Sequence, residues 1–193
     1  MAAGPLLPDT KDWTWVLQRA CPECGFDTTA VTTAELPELI TSLADRWEAV
    51  LVPDPPAPHS LTARPSPDRW STLEYGCHVR DVFRIFDQRL QLMLTSEQPQ
   101  FDNWDQDATA VADDYQRQDP AAVAADLESA ALALAARFAS VGGKDWQRAG
   151  RRSDGAAFTV ASLGRYLVHD PVHHLHDVGH LHGVRAEGCA RSD

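Results

Sequence analysis

The chain has 193 residues, of which 44% are apolar and 23% charged, as in an ordinary globular protein with a substantial core. Its net charge of -11 at pH 7 argues against a nucleic-acid backbone or an anionic membrane surface as the main partner, because both require a basic patch. The N-terminus has no apolar signal core, and no apolar run reaches the roughly 18 residues of a membrane span. We therefore expect a cytoplasmic protein.

Four cysteines, at positions 21, 24, 77 and 189, are expected to be reduced, metal-bound or redox-active in that compartment. Cys21 and Cys24 belong to the motif CPECG, which resembles half of a zinc knuckle. Cys77 and Cys189 do not supply a second pair at similar spacing. The motif therefore fits two reduced or occasionally oxidised cysteines in a surface turn, a local zinc site, or a redox site.

The first third of the chain predicts an irregular segment followed by one helix. Residues 1–31 form an N-terminal arm without regular periodicity. A capping-box pattern at Thr32 and Glu35 precedes apolar residues at spacings of three and four, which predicts a helix over residues 33–51. Six prolines make residues 52–68 an extended crossover.

A second capping-box pattern, Ser71 with Glu74, begins a long helix that is predicted to end at about Leu94. His78 lies at the edge of the apolar arc of this helix, where a single histidine is usually a satisfied side chain of the core or its rim. A short helix is predicted at residues 107–115, within an acidic and polar connection.

The remainder of the chain predicts two further long helices. Asp119, followed by a proline, begins an alanine-rich helix that runs to Val141. Residues 144–157 are predicted to be a loop or a short hairpin, and Thr159 caps a last helix that ends near Gly183.

No alternating pattern exceeds a few residues, so the predicted fold is all-α, a four-helix bundle with long crossover connections. The expected organisation is an N-terminal arm with the CxxC motif (1–31), the bundle (32–183) and a tail (184–193).

Residues 166–182 hold six of the eight histidines. On a helix that advances about 100° per residue, Asp170, His174 and Asp177 share the apolar stripe of the last helix. A nearly opposite stripe, expected to face water, carries His169, His173, His176 and His180. An inward carboxylate and imidazole must be paired, hydrogen-bonded or bound to a metal, so Asp170 and His174 need a physical explanation.

Pro171 leaves two possibilities for this helix. It either kinks one continuous helix or begins a new helix with Asp170 as its N-cap, which would give that carboxylate a purely structural role.

If the second long helix faces the last one, His78 approaches Asp170 and His174. Two imidazoles and one carboxylate bind Zn²⁺, Fe²⁺ or Ni²⁺ while leaving coordination positions open for water or substrate. Asp81 and Asp177 are candidates to accept the free ring N–H of a ligating histidine, or they are ordinary surface charges.

Three motifs resemble the DinB-like superfamily over roughly residues 32–183: Trp70-Ser71, His78 within EYGCHVRDV, and HDPVHHLHDV. The resemblance implies a four-helix bundle whose metal is held by one histidine of the second helix and an H/E-x-x-x-H pair of the last. It places His174 as the second ligand and Asp170 where the family usually has His or Glu. Because Asp is shorter, ligation is direct, through water, or lost. In the last case His169 and His173 are the fallback pair.

The resemblance also implies a relationship to metal-dependent transferases of low-molecular-weight thiols, including mycothiol-dependent maleylpyruvate isomerases and bacillithiol transferases. In such an enzyme the metal-bound thiol of a cofactor such as mycothiol attacks an electrophilic small-molecule substrate, and no protein nucleophile is required. Cys77 points about 100° away from His78 and is a poor candidate for the same site.

Two other functions remain open. The first is a metal-dependent hydrolase in which a bound water is the nucleophile. The second is a non-catalytic metal-binding or stress-response module, with a homodimer as a compatible state.

Overall fold

The computed structural model describes residues 12–56 and 60–181, and these ranges contain five α-helices. The helices are α1 (Leu36–Leu51), α2 (Thr72–Thr95), α3 (Gln106–Ala112), α4 (Pro120–Ala139) and α5 (Val160–Asp177). Three short strands, β1 (Gln100–Phe101), β2 (Ala149–Arg152) and β3 (Ala157–Thr159), form one small sheet in which β2 is parallel to β1 and antiparallel to β3. The predicted tail and Cys189 lie outside the described residues.

The four long helices form a bundle. Helix α4 packs on α1 and α2, and α5 packs on the same two helices. The core contains fully buried aromatic side chains such as Trp47, Phe83 and Phe138 among aliphatic ones. The predicted all-α bundle is therefore confirmed, with a small hairpin added where a loop or hairpin was expected. No helix in the described ranges is long and apolar enough to cross a membrane.

Capping interactions explain where the two helices of the candidate site begin. The Ser71 hydroxyl accepts from the backbone N–H of Glu74 at 3.2 Å, and the Glu74 carboxylate accepts from the N–H of Ser71 at 2.8 Å. Thr159 and Ser162 make the equivalent reciprocal pair at the start of α5. These bonds satisfy backbone donors that a helix N-terminus leaves unpaired.

The start of α1 differs from the prediction. The Glu35 carboxylate accepts from the N–H of Thr32 at 2.7 Å, but the Thr32 side chain bonds to that same carboxylate instead of to a backbone N–H. The cap is therefore only half formed, and α1 begins at Leu36 rather than at residue 33.

Helix α5 is continuous through Pro171 and shorter than predicted. It ends at Asp177 rather than near Gly183, and Gly179 follows in a left-handed conformation with φ +78°. The indole N–H of Trp47 donates to the backbone carbonyl of Pro171 at 3.2 Å. Asp170 is thus an interior residue of the helix, which excludes the N-cap role that the sequence left open.

The N-terminal segment (residues 12–31) contains two short 3-10 helices, Trp13–Leu17 and Thr28–Ala30, and lies against α5. Val16, Phe26 and Val31 are buried, and the guanidinium of Arg165 on α5 donates to the carbonyl of Val31 at 2.8 Å. This segment covers a face of α5 that the helical pattern alone assigned to solvent.

Candidate metal centre

The structure brings together the three residues predicted to bind a metal. His78 comes from α2, and Asp170 and His174 lie one turn apart on α5. The Nε2 atom of His78 is 3.2 Å from Oδ1 of Asp170, and the Nε2 atom of His174 is 3.7 Å from the same oxygen. One donor atom from each residue lies within 4.8 Å of the other two.

This cluster lies in a cavity of about 690 Å³ between the helices and the N-terminal segment. The His78 side chain is only 1% exposed, whereas those of Asp170 and His174 are 34% and 17% exposed. Asp170 and His174 were expected to face the core, and they face this cavity instead. The position combines a buried histidine with donors that a small molecule can reach.

Two buried polar atoms of the cluster have no hydrogen-bond partner, namely Oδ1 of Asp170 and Nδ1 of His78. Burial opposes ionisation of Asp170, but the neighbouring imidazoles of His78 and His174 outweigh it and hold the pKa of this carboxyl well below its usual range. A buried, ionised and unsatisfied oxygen beside two imidazoles is what a divalent cation would satisfy. The donor set therefore fits a metal ion.

Neighbouring side chains fix the orientation of both imidazoles. The Nδ1 atom of His174 is 2.8 Å from Oδ2 of Asp177, which directs Nε2 toward Asp170. The His78 ring stacks on Trp104 with a centroid distance of 5.0 Å and an interplanar angle of 3°, and Trp70 packs on it at 5.2 Å. These contacts restrict ring rotation before any ligand binds.

Asp81 and Cys77 take no part in the cluster. The carboxylate of Asp81 pairs with Arg80 at 2.8 and 2.9 Å and accepts from the hydroxyl of Tyr115. Of the two roles that the sequence left open for Asp81, accepting the ring N–H of a ligating histidine is therefore wrong. The Cys77 thiol contacts the carbonyl of Tyr115, and burial raises its pKa to about 12. Asp177 is therefore the partner of a clustered histidine, and Asp81 belongs to a separate ion pair.

Arg89 and Arg152 also line the cavity, and the sequence analysis did not identify them. Arg89 is 6% exposed, its Nε has no hydrogen-bond partner, and burial together with Arg152 lowers its pKa to about 10. Arg152 bonds to Asp154 and to the hydroxyl of Tyr166, which lies one turn before Asp170 on α5. Arg89 and Arg152 are single arginines far apart in the sequence and belong to no motif, so only the fold shows that they line the same cavity.

Comparison with known proteins agrees with this architecture. Residues 34–178 match the family model described as the DinB superfamily. The chain belongs to the DinB superfamily. The fold is also similar to the solved structure of YfiT from Bacillus subtilis, which is described as a probable metal-dependent hydrolase with an unusual four-helix bundle topology. The two share 19% identity with a TM-score of 0.67, over 76% of this chain and 84% of YfiT. No curated protein sequence matches the chain.

A second cluster lies beside the first, between α5 and the N-terminal segment of this DinB bundle. Cys21 and Cys24 are buried rather than in a surface turn, and His169 and His173 are buried rather than solvated. The two histidines face the cysteines and not His78, so they do not act as the fallback pair for the first cluster. The motifs C-x-x-C and H-x-x-x-H each have the spacing of one half of a Cys₂His₂ site, which is the sequence signal for this group, but only the fold shows that the two halves meet.

Proposed function

We propose that this DinB protein is a metal-dependent enzyme acting on a small molecule, with a divalent metal such as zinc, nickel or iron held by His78, Asp170 and His174. The observation that carries the proposal is the convergence of two imidazole nitrogens on one buried carboxylate oxygen that accepts no hydrogen bond, at the edge of an open cavity. Three protein donors leave coordination positions for a ligand, which is the arrangement of catalytic rather than structural sites.

In this proposal the nucleophile is a ligand of the metal and not a side chain of the protein. Among the described residues that line the cavity there is no serine, threonine, cysteine or lysine. A divalent metal in this position would lower the pKa of a bound thiol or water, so that the deprotonated, nucleophilic form is available at neutral pH. We propose a low-molecular-weight thiol such as mycothiol as the nucleophile, because the cavity is large and lined by aromatic rings and carboxylates that suit a polyhydroxylated molecule.

The chain's own residues have distinct tasks in this proposal. Asp177 holds His174 in the orientation that presents Nε2 to the cavity. Trp70 and Trp104 enclose the His78 ring and exclude water from that side. Each of these contacts positions a donor without contributing a reacting atom.

The electrophilic substrate carries an anionic group in this proposal. Arg89 and Arg152 are the cationic side chains among the described cavity residues, whose other charges are mostly carboxylates. Arg152 donates a hydrogen bond to the hydroxyl of Tyr166, which lies one turn before Asp170 on α5. A carboxylate bound by these guanidiniums would hold the substrate in the same cavity as the candidate metal ligands.

A hydrolase is the second candidate, favoured by the similarity to YfiT, which is described as a probable metal-dependent hydrolase. In that case water takes the position of the thiol, and the same three residues hold the metal. The cavity accommodates either nucleophile.

Titration of the cobalt-substituted protein with mycothiol tests the proposal. We expect thiolate-to-cobalt charge-transfer absorption to increase with added thiol, and we expect this thiol-dependent increase to be lost in His174→Ala. A spectrum unchanged by thiol, together with metal-dependent hydrolysis of ester or amide substrates, would favour the hydrolase. A spectrum unchanged by thiol and no metal-dependent turnover of either kind would refute the proposed enzyme.

A further inference from the structure

We propose that Cys21, Cys24, His169 and His173 bind a second metal ion, a structural Zn²⁺ that fastens the N-terminal segment to α5. The site is separate from the candidate metal centre and does not depend on the function proposed for it. Its four donors come from two short motifs that are far apart in the sequence and adjacent in the fold.

The distances between donors fit tetrahedral zinc. The Sγ atom of Cys21 is 3.7 Å from Nδ1 of His173, and the Sγ atom of Cys24 is 3.8 Å from Nε2 of His169. Zinc–sulfur and zinc–nitrogen bonds of about 2.3 and 2.05 Å at tetrahedral angles place such atoms about 3.6 Å apart. All four donor atoms lie within 4.8 Å of one another. Only small adjustments are needed to surround an ion.

The backbone of each motif already has the conformation that a zinc site needs. In the CPECG turn the N–H of Gly25 donates to the carbonyl of Cys21 at 2.8 Å, and Gly25 has φ +74°, which favours glycine. His169 and His173 are one turn apart on α5 and therefore project on the same side. The turn supplies two thiols and the helix supplies two imidazoles to one point.

Four protein donors would leave no coordination position open to a further ligand, and all four residues are buried even though His169 and His173 border the cavity. All four residues are at most 9% exposed. The ring of Trp13 packs on both imidazoles, with centroid distances of 5.5 Å to His169 and 5.0 Å to His173. Four protein donors with no open position are typical of a structural zinc site, and thiolates with imidazoles favour zinc over magnesium or calcium.

A carboxylate in the CPECG turn faces the remaining nitrogen of one ligand. With Nδ1 of His173 directed at Cys21, its Nε2 lies 3.5 Å from Oε2 of Glu23. Metal-binding histidines usually donate their other ring N–H to a carboxylate in this way. The same turn therefore supplies two ligands and the group that orients a third.

Zinc at this position would also shape the candidate active site. Trp13 and Glu23, which contact the histidines of the second cluster, line the cavity that contains His78. Zinc bound here would hold this wall of the cavity in place, because His169 and His173 line the cavity themselves while neither cysteine does.

Metal analysis of protein purified without an affinity tag tests the inference. We expect Cys24→Ser to lose about one equivalent of zinc per chain relative to the wild type. The matched control is Cys77→Ser, which alters another buried cysteine outside both clusters and should keep the full content. His78→Ala should keep the zinc of the second cluster whether or not the candidate metal centre binds an ion, so failure of one proposal is distinguishable from failure of the other.

Cobalt substitution identifies the ligands without relying on a variant that must fold. The wild-type protein and His78→Ala should show a thiolate-to-cobalt charge-transfer band in the absence of added thiol, and Cys24→Ser should lose most of it. The inference is overturned if cobalt-loaded wild type lacks that band. It is equally overturned if thiol titration shows a Cys21–Cys24 disulfide in protein purified under reducing conditions, which would make the pair a redox site.

Discussion

Asp177 provides the sharpest test of how the candidate metal centre is organised. Its Oδ2 atom is 2.8 Å from Nδ1 of His174, and its side chain is only 17% exposed, so solvent screens the contact weakly. Asp177→Asn keeps the shape and an acceptor oxygen but removes the charge. Loss of such an orienting partner typically weakens metal binding about 10- to 100-fold, which corresponds to about 1.4 to 2.8 kcal/mol. We expect Asn near the lower limit and Asp177→Ala near the upper one.

The assay is a competition titration against a chromophoric chelator. It is carried out in a Cys24→Ser background so that only the first cluster is measured. Glu128→Gln is the control, because this exposed carboxylate on α4 lies away from the cavity. A dissociation constant unchanged within about twofold in both Asp177 variants, with the fold intact, would contradict an orienting role for Asp177.

Three further predictions concern stability and are checked by urea denaturation. Phe138→Ala should lower the free energy of unfolding by about 3–5 kcal/mol, because this side chain is 1% exposed in the core. Gly164→Ala should destabilise by about 1–3 kcal/mol, since an added Cβ would lie 2.5 Å from Leu36 and 3.1 Å from Phe138; a stabilised variant would refute this close packing. Asp81→Ala should cost about 3–5 kcal/mol at pH 7 by leaving its buried arginine partner uncompensated, against about 0–1 kcal/mol for the exposed Asp126→Ala. Burial opposes ionisation of Asp81, but its hydrogen bonds hold its pKa below the usual 3.8. The stability that ionised Asp81 contributes should therefore be present above pH 3.8 and disappear as the pH falls through the lowered pKa. If wild type and Asp81→Ala still differ in stability in acid, the stabilisation does not come from the ionised carboxylate.

Local sequence signals predicted the parts of the fold that local interactions determine. The Ser71–Glu74 box and the Thr159 cap are set by residues three positions apart, and the structure contains both. The Thr32–Glu35 pattern is the exception. Both the backbone N–H and the hydroxyl of Thr32 bond to the Glu35 carboxylate, so the reciprocal cap does not form and α1 begins later than predicted.

Sequence reasoning could not place the second cluster because helical periodicity treats a helix as if one side meets the core and the other meets water. The N-terminal segment covers the supposed solvent side of α5, so His169 and His173 are buried by residues about 150 positions earlier in the chain. For Cys21 and Cys24 the sequence favours a surface turn over a zinc or redox site for a different reason, because no second cysteine pair at similar spacing completes a zinc knuckle. The C-x-x-C and H-x-x-x-H motifs can each be recognised in the sequence, but that they lie close together follows only from the tertiary structure.

The two clusters together explain why one helix carries so many histidines. His169 and Asp170 are neighbours, as are His173 and His174, and each pair divides its members between the two clusters, which lie on adjacent sides of α5 about 100° apart. A rotation of α5 by one residue, about 100°, would remove Asp170 and His174 from the cavity and disrupt both sets at once. Zinc bound by the second cluster would therefore help to fix the rotation that presents Asp170 to His78. A structural zinc in one cluster would in this way maintain the geometry of the neighbouring candidate metal centre.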